Sequence, residues 1–88
     1  MTTKAPSAIQ EFTPDSLEKI AYASVSSIPT QEPNDRNRLG YHVWRWLLTR
    51  QGTLEQAIRE SASRLHVKNE DALKTIREAL MKHGITVE

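Results

Sequence analysis

The side chains best able to do covalent or acid–base chemistry in this sequence are three histidines, two helical serines and one adjacent carboxylate pair. His42, His66 and His83 fall on three different segments with no i, i+4 or HExxH spacing, and metal ligation needs several ligands to converge. His66 reads as a turn residue and His83 as a cation at a helix C-terminus. Ser61 and Ser63 have no nucleophile-elbow motif around them. Glu70–Asp71 reads as the acidic start of a helix. The three glycines, Gly40, Gly52 and Gly84, form no phosphate loop and are better explained by close packing and helix stops. The sequence therefore predicts a protein that is not an enzyme and has no metal or other cofactor.

Recognition chemistry is better represented. The stretch YHVWRWLLTR, residues 41–50, holds both tryptophans of the chain together with Leu47, Leu48, two arginines and a histidine. On a helix at about 100° per residue, Leu39, Val43, Trp46 and Leu47 share one arc. Tyr41, Trp44 and Leu48 share another, roughly opposite, and Arg38, His42, Arg45 and Thr49 form a narrow polar sector. A surface helix needs one apolar stripe; this one has two. The second must be covered by another helix of the chain, by a second copy (a homodimer), or by another protein. Aromatic residues and arginine dominate binding hot spots, so Arg38, Tyr41, His42, Trp44, Arg45 and Leu48 are the candidate partner-binding residues.

The elements that must position these residues are punctuated by recognisable caps. Residues 1–11 lack periodicity and read as a flexible tail, ahead of one helical domain over residues 12–88. Thr13, Pro14 and Asp15 open a first helix over about 14–26, with Phe12 and Leu17 in staple relation. Leu17, Ile20, Ala21 and Ser24 form its inward stripe. Pro29 and Pro33 mark a linker at 27–34 that would let the first helix fold back or swing away. A second helix is expected over about 35–51, capped by Asn34 or Asp35 and stopped at Gly52. A third, over about 54–66, starts with Thr53 and Gln56 as a capping box and carries Leu54, Ala57, Ile58, Ala62 and Leu65 on one face. The fourth, over about 70–83, is capped by Asn69 and stopped by Gly84, with Ile85 free to touch Leu80. The expected fold is all-α: a small four-helix domain whose last three helices form a compact body, with the N-terminal helix added to it.

Composition limits the partners. The 88 residues hold 12 Lys+Arg against 11 Asp+Glu, for a net charge of +1, which alone implies no polyanionic partner. The distribution is less even: two lysines face four acids in residues 1–33, and ten bases face seven acids in residues 34–88. Cysteine is absent, so neither disulfides nor a thiolate metal site reinforces the core. No apolar run approaches the ~20 residues that span a bilayer, and the N-terminus lacks a secretory signal. The expectation is a soluble, cytoplasmic protein without a membrane partner.

The stretch ASRLHVKNEDALKTIREALMKHGI resembles the helix-turn-helix of bacterial regulators. Ala62, Leu65 and Val67 match its first helix and turn, and Leu73, Ile76 and Leu80 match the inward side of a recognition helix. The likeness covers about a quarter of the chain and implies a DNA-binding regulator. The sequence departs from the pattern at His66, where glycine is usual, and at Glu70 and Asp71, which would face phosphate. Acid-first i, i+4 pairs (Glu55–Arg59, Glu60–Arg64, Glu70–Lys74 and Glu78–Lys82) occupy much of the basic charge. The bases outside these pairs, Arg36, Arg38, Arg45, Arg50, Lys68 and Arg77, together with Lys74 on the outer face of the fourth helix, are the candidate nucleic-acid contacts. Two functions follow: a regulator or adaptor acting through protein contacts on the second helix, or, as the alternative, a nucleic-acid-binding regulator.

Overall fold

The computed structural model describes residues 12–87; the expectation of a flexible tail over 1–11 lies outside them. Four helices follow in order: α1 (Pro14–Val25), α2 (Pro33–Thr49), α3 (Leu54–Glu60) and α4 (Asn69–Lys82). Among the described residues there is no strand, only an isolated antiparallel bridge between Thr30 and Leu65. The fold is the all-α, four-helix domain that the sequence predicts.

α1 begins as expected. Thr13 Oγ1 accepts the Ser16 N–H at 3.1 Å, and Ser16 Oγ accepts the Thr13 N–H at 3.1 Å. Two of the donors that a helix start leaves unpaired are thus satisfied reciprocally. α2 starts at Pro33, two residues early. Proline lacks an N–H, which the first helical position does not use. Glu32 becomes the cap residue without a side-chain bond, and Asp35 moves into the first turn. α2 also ends early, at Thr49: Arg50 turns left-handed at φ 52° and donates its N–H to Trp46 O at 2.6 Å. Gly52, the expected stop, makes the following reversal at φ 74°.

The largest departure is α3, expected over 54–66 and ended at Glu60. Its capping box forms: Thr53 Oγ1 accepts from Gln56 N–H, and Gln56 Oε1 from Thr53 N–H. Its far end is broken by serine. Ser61 Oγ donates to Ile58 O at 2.8 Å and accepts the Ser63 N–H at 3.2 Å, the local bonding by which serine competes with helix. Ala62 then turns at φ 55°, and the chain runs extended against the linker. Gln31 N–H donates to Arg64 O at 3.0 Å, and His66 N–H to Pro29 O at 2.9 Å. Backbone groups that helix would have paired internally instead satisfy those of the linker.

The linker folds α1 back onto the other helices. Ile28 is buried, and Arg36 Nε donates to its carbonyl at 3.0 Å. α1 packs directly on α2 and α4, and α3 packs on the same two helices, so the four close into a ring. α1 is one wall of the core. It supplies Ala21 and Val25 to a cluster that includes Leu39, Val43, Ile58, Ile76 and Leu80. Where α1 meets α2, Gly40 allows the approach, because a Cβ there would stand 2.5 Å from Tyr22 Cδ1. α4 is capped by Lys68 rather than Asn69. It ends in a Schellman turn at Gly84 (φ 84°), with Ile85 N–H on Leu80 O and Gly84 N–H on Met81 O, both at 3.0 Å.

Candidate interaction surface on α2

The inward arc of α2 is the one expected. Leu39, Val43, Trp46 and Leu47 are buried, and the Trp46 indole N–H donates to Gly52 O at 3.1 Å while the Arg50 guanidinium lies 4.7 Å from the Trp46 ring centroid. The second arc is divided. Trp44 is half-buried, packs against the core, and donates its indole N–H to Pro14 O at 3.1 Å. α1 therefore covers Trp44 in part. Tyr41 and Leu48 stay 43% and 44% exposed.

Tyr41 is the centre of the exposed part. Its ring meets Trp44 edge-on at 6.1 Å between centroids and His42 edge-on at 5.8 Å. The Arg45 guanidinium lies 6.0 Å from the same ring, within the range where a cation is attracted to an aromatic face. Tyr41 also reaches the α1 side. The Tyr22 hydroxyl is pushed above its ordinary pKa by burial, by Glu18, and by Tyr41. On the other flank, His42, Arg45 and Thr49 line a cleft of ≈ 140 Å³ whose far wall holds Gln56 and Glu60.

Arg38 is exposed, but one N–H is committed to Asp35 Oδ1 at 3.2 Å. Asp35, expected as a candidate cap, has a side chain only 1% exposed and also lies 3.4 Å from Arg64 Nε. The sequence reading missed this buried acid. Its signal was Pro33: proline at the first helical position puts Asp35 third, among the N-terminal N–H groups.

The structure brings Arg38, Tyr41, His42, Trp44, Arg45 and Leu48 onto one continuous side of α2. It does not gather the candidate nucleic-acid residues into one patch. Arg36 is turned onto the linker carbonyl and Arg50 onto Trp46. Lys68 and Lys74 are exposed at the start of α4, and Arg77 is half-buried within it. The helix-turn-helix likeness also fails in geometry. Ser61–Lys68 lies between α3 and α4, where that motif has a turn of about three or four residues, and Ala62 and Leu65 are not helical. Of the expected acid-first pairs, Glu55–Arg59 forms at 2.7 Å. Glu60–Arg64 does not, because the helix ends between them and Arg64 goes to Asp35.

His42 is half-buried in α2, His66 is exposed on the extended strip, and His83 is exposed at the end of α4. Among the described residues no group of three or more His, Cys, Asp or Glu side chains is placed to hold a metal ion, and no helix is long and apolar enough to cross a membrane. Comparison with protein-family models, with curated proteins and with solved structures finds no match.

Proposed function

We propose that this chain is a small non-catalytic regulator or adaptor that binds another protein through the exposed side of α2. The observation that carries this reading is the pair Tyr41 and Leu48. They are large, apolar and over two-fifths exposed, on a helix whose opposite side is the core. Side chains fixed on a well-packed helix lose little freedom on binding, which favours affinity. Tyr41 supplies an aromatic anchor, Arg45 beside it supplies a charged group, and both residue types are enriched at contact hot spots. Trp44 contributes its outer edge and ties the surface to α1.

A photo-reactive amino acid placed at the exposed Asn37, one turn before Tyr41, tests the reading in the cell that makes the protein. The expected result is a discrete adduct with one other protein, absent when the same group replaces Lys74 on α4, and lost in Tyr41→Ala/Leu48→Ala. An adduct that ignores those two substitutions, or none at all, rejects the reading. The nucleic-acid function is checked separately with random-sequence duplex DNA at ~50 and ~200 mM salt, where phosphate contacts weaken binding by orders of magnitude.

A further inference from the structure

Resting on the contact reading above, we propose that the occupant of the α2 surface is an acidic amphipathic segment of another protein. It would set an apolar side chain on Tyr41 and Leu48, and one or more carboxylates against Arg45 and Arg38.

The charge on α2 and its cap residue Arg50 is one-sided. Residues 33–50 contain Arg36, Arg38, Arg45 and Arg50 but a single acid, Asp35. That acid is buried and already faces Arg38 and Arg64. The exposed charge of α2 is thus entirely positive. Among the described residues Arg45 has no carboxylate within ion-pair distance; its neighbour is the Tyr41 ring. Anchor and cation are adjacent, so a complementary ligand must carry an apolar group and an anion side by side.

The same feature argues against the other occupants. A second copy would bring the same arginines to the contact and no exposed acid on its own α2, and like charges opposed across an interface are costly. A nucleic acid would find Arg36 and Arg50 turned away, and phosphate has no use for Leu48. Glu60 on the α3 side of the neighbouring cleft repels carboxylates there.

The test is selection of a random peptide library on the immobilised full chain. The enriched peptides are then measured by fluorescence anisotropy against wild type, Tyr41→Ala/Leu48→Ala and Arg38→Glu/Arg45→Glu. The inference expects peptides in which Asp or Glu alternates with Leu, Ile or Phe. Their binding should weaken about thirtyfold or more on loss of the two anchors, and at least about tenfold on charge reversal. Replacing the peptide's acids with lysine should restore binding to the reversed variant. Neutral or basic peptides that still need Tyr41 and Leu48 would overturn the acidic partner and leave the contact surface standing. Enrichment independent of Tyr41 and Leu48, or no enrichment, overturns both. Duplex DNA that binds with a steep salt dependence and is lost in Arg38→Glu/Arg45→Glu, where no peptide binds, replaces the peptide with a nucleic acid.

Discussion

Trp44 and Trp46 stand two residues apart on α2, and each donates its indole N–H to a backbone carbonyl at 3.1 Å. They nevertheless belong to different parts of the molecule. Trp46 is 5% exposed and bonds Gly52, six residues on, within the turn that ends its own helix. Trp44 is half-buried and bonds Pro14, thirty residues back, at the start of α1. The Trp46 contact is local and needs only α2 and its reversal. The Trp44 contact exists only while α1 is docked. Equal hydrogen-bond lengths therefore do not mean equal roles: Trp46 fills the core, whereas Trp44 joins two walls of it and borders the exposed Tyr41 surface.

Removing Trp46 should have the largest effect. Truncation of a buried aromatic costs roughly 3–5 kcal/mol, out of a total stability of order 5–15 kcal/mol. Trp46→Ala should lower the urea midpoint severely or leave the chain unfolded at 25 °C, as read by far-UV circular dichroism. Trp44→Ala should cost clearly less. Equal losses would break the distinction between core and rim.

The α1–α2 approach comes next. A Cβ at residue 40 meets the Tyr22 ring, and overpacking costs typically 1–3 kcal/mol. Gly40→Ala gains helix propensity of about 1 kcal/mol, so the measured loss should be at the lower end of that range. In Tyr22→Ala the same substitution should become neutral or stabilising. A double-mutant cycle on denaturation midpoints gives the coupling, and additive effects would show that Tyr22 does not rest on Gly40.

Much of this architecture is legible from the sequence, because caps and stops are local. Thr13, Thr53 and Gly84 announce themselves by residue type, and the structure uses each as expected. The apolar arc Leu39–Val43–Trp46–Leu47 is legible because its period is helical. What was not legible depends on partners distant in sequence. The pattern Ala57, Ile58, Ala62, Leu65 continues the α3 helix on paper. Ser61 breaks it through its side-chain bonds to Ile58 O and Ser63 N–H, and the backbone of residues 29–31 draws residues 64–66 into extended pairing. Arg64 then meets Asp35 instead of Glu60. On the α2 surface, spacing alone places Tyr41, Trp44 and Leu48 together. It cannot say that Pro14 would lie over Trp44 and not over the other two.

A smaller effect sharpens the comparison of the tryptophans. Phenylalanine keeps an aromatic ring and removes the indole N–H. Trp44→Phe leaves the Pro14 carbonyl near solvent and should cost about 1 kcal/mol or less. Trp46→Phe gives up the bond to Gly52 O from a buried ring and should cost more. The Tyr22 hydroxyl adds a pH test. Its raised pKa means that the folded chain holds this proton more tightly than the unfolded chain. Above about pH 10, the ordinary tyrosine value, the unfolded state binds fewer protons, and stability falls as pH rises toward the folded-state pKa. Tyr22→Phe should flatten that alkaline decline in a series of melts, and an unchanged slope would place its cause elsewhere.

The smallest expected effect on stability is at Tyr41 and Leu48. Both are over two-fifths exposed, and surface substitutions away from caps and strain usually stay within about 0.5 kcal/mol. Tyr41→Ala/Leu48→Ala should therefore unfold close to the wild-type midpoint, while Trp44→Ala, one position inward on the same arc, shows a measurable loss. If the pair destabilises as much as Trp44→Ala, the two side chains are part of the fold and their exposure needs no partner to explain it. If stability is kept, the chain keeps two large apolar side chains in water beside Arg45 without using them to fold. That gap between no folding role and a costly exposure is the reason to assign them to binding.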